Sequence, residues 1–130
     1  MTAYALPADM LARYPLTELI QRTDPSASTP DSLMLNCALG QAAGLIDRHL
    51  SPRYSLPLAV VPHALTDAAC AIARWHLYDY EPPEMVQRLF DDAISWLRRL
   101  ESGSTTLPLP VPHQARRIDM QSTPRRGWDA

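Results

Sequence analysis

The side chains best able to do chemistry here are His49, His63, His76 and His113, the cysteines Cys37 and Cys70, and the adjacent acids Asp91 and Asp92. Their spacing does not gather them. No His lies three or four residues from another His or from a Cys, the separation that sets two metal ligands on one helix face. Cys37 and Cys70 each stand in an apolar helical pattern, where the expectation is a small buried hydrophobe rather than a reactive thiolate. His49 and His76 fall beside apolar stripes and are expected to be partly buried and hydrogen-bonded. Asp91 and Asp92 fall on the solvent side of their helix. Trp75, Tyr78, Phe90 and Trp96 recur at helical spacing, as core aromatics do. No G-x-S-x-G elbow, P-loop or dinucleotide glycine pattern occurs, and the whole chain holds only 4 glycines. The expectation is a protein that is not an enzyme, with no catalytic residues, cofactor or metal.

Two other groupings offer binding rather than catalysis. The first is a stretch between two helical patterns, residues 52–61. Leu56, Leu58, Val60 and Val61 lie there between Pro52, Pro57 and Pro62, where a loop is ordinarily polar. With Arg53 and Tyr54 they form a candidate subunit interface. Each of the four aliphatic side chains contributes roughly 1.5–3 kcal/mol if fully buried. The second grouping is Asp47, Asp67 and Arg74, with Arg53 close by. An Arg–Asp pair among these is a candidate for holding the apolar strap down; ordinary surface charge is the alternative.

The elements that must position these residues read as helices. Residues 6–14 suit a short helix with Pro7 in its first turn, stopped by Pro15. Leu16 to Arg22 suits a second. Thr29 offers an N-cap and Pro30 a first helical position for a helix over about 30–50, with Leu35, Leu39, Ala42, Ile46 and Leu50 on one face. Gly40 and Gly44 each weaken that helix by about 1 kcal/mol relative to Ala, so close approach by another helix is expected there. A helix over about 62–80 carries Leu65, Ala68, Ala69, Ile72 and Trp75. Another over about 82–101 carries Met85/Val86, Leu89/Phe90, Ala93, Trp96/Leu97 and Leu100. The predicted architecture is all-α: a small bundle of three main helices, a short helical N-terminal pair, an extended apolar loop at 52–61 and a flexible C-terminal tail. The predicted domain is 1–103. Residues 104–130, rich in Pro and Arg, are expected to be disordered in isolation, with 105–111 excepted.

At 130 residues and 46% hydrophobic, the chain is long enough for a core without disulfides. Charge is unevenly placed. Residues 1–102 hold 8 Arg against 12 acids, and residues 103–130 hold 4 Arg against 2 Asp. An acidic body with a basic tail does not describe a dedicated nucleic-acid binder, so at most weak, non-specific DNA contact is expected. All cations are Arg, which suits interfaces, although a GC-rich genome gives the same bias. Neither a signal peptide nor a membrane span is expected.

Four stretches carry a family resemblance: Tyr4 to Met10, Glu18 to Asp24, Ile46 to Leu58 and Ala73 to Tyr78. Together they resemble the small Mu-like prophage structural protein family, long carried as a domain of unknown function and similar to the head–tail connector, or neck, proteins of tailed phages. The resemblance covers about residues 4–103. His49 departs from it, standing where an aromatic is usual. It implies an α-helical protomer without enzymatic activity that joins a homo-oligomeric ring below the portal. It implies neighbouring phage head and tail proteins as partners, assembly in the host bacterial cytoplasm and a final place in the virion neck. The competing reading is a small helical DNA-binding or adaptor module built on the last two helices. The start of the second of these, Pro82-Pro83-Glu84 with Asp91-Asp92 further on, lacks the outward Arg, Asn or Gln of a recognition helix.

Overall fold

A computed structural model describes residues 3–108. The order is α1 (Pro7–Arg13), α2 (Leu16–Thr23), α3 (Ser32–Leu50), α4 (His63–His76) and α5 (Glu84–Ser102). No strand occurs among the described residues, and the fold is all-α. The 109–130 part of the expected disordered tail lies outside them.

Three long helices make the bundle. Tyr4 touches both Asp47, near the end of α3, and Thr66, near the start of α4, so these two helices run antiparallel. Trp75, late in α4, stacks on Phe90, early in α5, with ring centroids 4.2 Å apart. His49 and Glu101 then meet at 2.7 Å, which brings the C-terminal ends of α3 and α5 together. The stripe foreseen on α3 is the core: Leu35, Leu39, Ala42, Ile46 and Leu50 are all buried, opposite Leu65, Ile72, Leu97 and Leu100. Met10 and Leu19 close it from α1 and α2, each fully buried.

Helix ends differ from the sequence reading in instructive ways. The N-cap of α3 is Asp31, not Thr29: its carboxylate accepts from the Leu33 amide at 2.9 Å. Thr23 Oγ1 explains the shift. It accepts from the Asp31 amide at 3.0 Å while donating to the Leu19 carbonyl at 2.7 Å. That ties the end of α2 to the start of α3 and leaves Pro30 in the connection. Helix α4 stops at His76, four residues short of Tyr80. There the Leu77 amide donates to the Arg74 carbonyl and the Tyr78 amide to the Trp75 carbonyl, a tightened last turn.

Two packing expectations also fail, for Cys37 and for the two glycines of α3, and the pairs left open on α5 are decided. Cys37 is exposed; only Cys70 is buried, and burial pushes its thiol up to about 11. Of the adjacent pairs on α5, Met85 and Leu89 are exposed, while Val86 is buried and Phe90 half-buried. No atom lies within 4 Å of a Cβ built at Gly40 or Gly44, so no helix approaches them among the described residues.

The folded unit also runs past residue 103. Gly103 ends α5 at φ +86, the left-handed region that glycine enters without a Cβ clash. Beyond it Leu107 is buried against the core, with its amide donating to the Tyr54 hydroxyl at 3.0 Å.

Gly103 has a second constraint, because a Cβ there meets the Arg53 guanidinium carbon at 2.6 Å. Gly103→Ala is expected to lower stability by about 1–3 kcal/mol, since it adds left-handed strain and displaces Arg53. Urea unfolding checks this. A midpoint equal to wild type contradicts it.

Candidate functional site

The strap between α3 and α4 is fixed at its beginning and open at its end. Backbone bonds from the Arg53 and Tyr54 amides to the Leu50 carbonyl turn the chain out of α3. Arg53 then reaches across to α5. Its Nε donates to the Glu101 carbonyl at 2.9 Å and its Nη2 to the Ser102 carbonyl at 2.9 Å. These are among the last carbonyls of a helix, which lack intrahelical partners and carry the negative end of the dipole. A guanidinium satisfies two of them with its fixed fork of donors. Tyr54 adds the contact to Leu107, and Leu56–Pro57 is a cis peptide bond.

Past this anchor the strap lies on the protomer without being enclosed. Tyr54, Leu56, Leu58 and Val61 are half-buried against the core, whereas Val60 is 52% exposed. Of the six candidate interface residues, Arg53 and Tyr54 thus have partners within the chain. Leu56, Leu58 and Val61 show one side to the core and one to solvent, and Val60 faces out.

The three candidate ion-pairing residues are all engaged, but not with one another, and none holds the strap. Arg74 forks onto Glu18 of α2, with Nε to Oε2 at 2.8 Å and Nη2 to Oε1 at 2.7 Å. Tyr78 donates to the same Glu18 Oε2 at 2.8 Å. The Arg74 guanidinium also sits 4.4 Å over the Tyr14 ring. Both partners are mostly covered, with side-chain exposures of 15% and 17%. Asp67 pairs with Arg13 of α1 at 2.9 Å, near the surface. Asp47 accepts from the Tyr4 hydroxyl. Each contact therefore fastens the N-terminal segment onto α3 or α4. Asp67 and Arg74, seven apart on α4, share a face but reach different partners.

The electrostatics follow from this geometry. The Arg74 guanidinium, helped by the Tyr78 hydroxyl, holds the Glu18 carboxyl below its ordinary value despite burial. Burial pushes the Tyr14 hydroxyl up to about 12 and lowers His76. Sequence reasoning missed Glu18, Arg13 and Tyr4 as partners. A carboxylate three residues after Pro15, on a short helix, carries no periodic signal of whom it meets across the fold.

Among the described residues, no three His, Cys, Asp or Glu side chains gather as a metal site would require. None of the described helices is long and apolar enough to cross a membrane. The arrangement can anchor, cap and pack.

The geometry defines a small helical protein whose distinctive feature is an anchored, partly uncovered loop. Its sequence places it among phage-related proteins. The chain belongs to the family described as Bacteriophage Mu, Gp36, whose model matches residues 4–122. Gene product J of Escherichia phage Mu is 35% identical over 104 residues, spanning 78% of this chain and 74% of that protein. Mu-like prophage FluMu protein gp36 of Haemophilus influenzae is 34% identical over 110 residues, spanning 84% and 78%. The family match runs beyond residue 103, where the resemblance in the motifs ended, and takes in part of the Arg-bearing segment.

The Glu18–Arg74 pair has a pH signature. A carboxyl held below its ordinary 4.5 in the folded state contributes stability above that value and loses it as pH falls through the depressed one. Wild type is therefore expected to weaken below about pH 4.5 in part through Glu18. Glu18→Gln should lose that part of the slope and cost about 1–3 kcal/mol at pH 7, between the values for exposed and buried pairs. Parallel stability–pH curves for the two proteins contradict the assignment.

Proposed function

We propose that this chain is a non-enzymatic virion assembly protein, a head–tail connector or neck component that forms an oligomeric ring below the portal. Membership of the Mu Gp36 family supports a phage role at the coarse level. The observation that carries the finer reading is the strap. Arg53 and Tyr54 fix where it leaves the bundle, while Leu56, Leu58 and Val61 remain half-covered and Val60 exposed. A segment positioned by its own fold and left incompletely buried gains apolar contact when a neighbour covers it. Neighbouring copies and adjoining head or tail proteins are the partners. The exposed acids Glu84, Asp91 and Asp92 on the first half of α5 disfavour DNA reading by that helix. Assembly takes place in the bacterial cytoplasm and ends in the virion neck.

Val60→Asp separates assembly from folding, because Val60 is more exposed than Leu56 or Leu58. The variant is expected to keep wild-type urea stability within about 0.5 kcal/mol. Complementing a phage deleted for this gene, it should yield filled heads and finished tails that fail to join, as electron microscopy would show. Joined, infectious particles from Val60→Asp, or a deletion phage that builds no heads, overturn the reading.

A further inference from the structure

Charge on the surface of the bundle is sorted by end. Helices α3 and α5 run parallel, so one end of the bundle holds both of their C-termini and the other holds the α4–α5 corner. Toward the corner Asp79, Glu81 and Glu84 are exposed, with Asp91 and Asp92 following near the middle of α5; the exposed cation among them is Arg88, and the half-buried Arg22 lies over the Tyr78 ring beside Asp79. None of these acids has an ion-pair partner among the described residues. At the opposite end Arg48, Arg53, Arg98 and Arg99 are exposed. Acids there are already engaged: Asp47 with Tyr4, Glu101 with His49, and Asp67, near the start of α4, with Arg13.

Helix dipoles account for only part of this pattern. Glu84 lies in the first turn of α5 and Arg99 in the last, where each complements the local field. That effect fades within one turn. It does not reach Asp91 and Asp92, nor Asp79 in the preceding connection. Both ends also carry uncovered apolar surface. Tyr80 is 90% exposed, Met85 52% and Leu89 37% at the acidic corner, and Val60 is 52% exposed in the strap at the basic end. One surface is thus the electrostatic complement of the other, with apolar groups in both.

We infer that the acidic α4–α5 corner of one copy, around Glu84 and Asp92, docks the Arg98–Arg99 end of a second copy. The inference rests on the ring reading and specifies its contact. Two unlike patches on one chain make a heterologous contact, which propagates head to tail and closes into a ring when the rotation allows. Complementary charge fixes the register and speeds encounter, and salt weakens it.

Charge reversal on the full-length chain tests this by sedimentation velocity at low and high salt. One variant carries Glu84→Arg with Asp92→Arg; the other carries Arg98→Glu with Arg99→Glu. Circular dichroism first establishes that both fold. Wild type should self-associate more at low salt, and each variant roughly tenfold more weakly. Their equimolar mixture should recover association, because one junction is then the native pair and the next is its mirror in charge. Variants that associate as wild type does, a mixture that stays apart, or a wild type without salt-sensitive association each overturn the inference. The ring reading is judged separately, by the copy number of the chain in the necks of purified particles. A multi-copy ring with charge-insensitive association removes only this contact.

Discussion

The Arg53 guanidinium at the C-terminus of α5 is the contact on which the arrangement depends. A helix end leaves carbonyls without partners; here local bonds from Gly103 and Thr105 meet those of Leu100 and Arg99, and a side chain 48 residues away in sequence meets the one that follows, of Glu101. One residue thereby performs two tasks. It satisfies the end of α5, and it fixes the direction in which the chain leaves α3. Gly103 makes room for it by having no side chain. The Tyr54–Leu107 contact extends the same junction, so the strap, the end of α5 and the segment after it form one unit. The strap is therefore a positioned surface rather than a slack connection.

The N-terminal segment is held on a different principle. Residues 3–23 bury few large side chains, chiefly Tyr4, Met10 and Leu19, and two short helices cannot persist on so little alone. Polar contacts supply the remainder: Tyr4 to Asp47, Arg13 to Asp67, and Glu18 to Arg74. The last is the best covered, with Tyr14 beneath the guanidinium and Tyr78 on the carboxylate. Such a pair specifies where α2 sits more than it adds net stability, because desolvating both charges offsets much of their attraction. Truncating one partner is costly for the same reason.

How much of this was legible in the sequence follows from the range of each interaction. The helices were, because proline stops and apolar spacing act over a few residues. The α3 stripe from Leu35 to Leu50 is buried as its periodicity required. The strap was legible as an oddity, since prolines rule out a helix there and apolar side chains argue against an ordinary loop. Partners were not legible. Asp67 and Arg74 share a helical face, which suggested a pair; tertiary packing brought Arg13 and Glu18 to them instead. Cys37 shows the limit of a pattern read one residue at a time: apolar neighbours surround it in sequence, yet its own angle on the helix points outward. Met85 and Leu89 show the same limit, because spacing alone did not decide which residue of each adjacent pair faced the core.

The central claim is that the strap is anchored by the protomer and completed by a neighbour. Amide hydrogen exchange across residues 53–61, compared between the isolated protein and purified neck assemblies, tests it most directly. The Arg53 and Tyr54 amides, bonded to Leu50 in the protomer, should be protected in both states. Amides from Leu58 to Val61 should exchange freely in the isolated protein and slow markedly on assembly. Equal exchange of the 58–61 stretch in the two states would contradict the account.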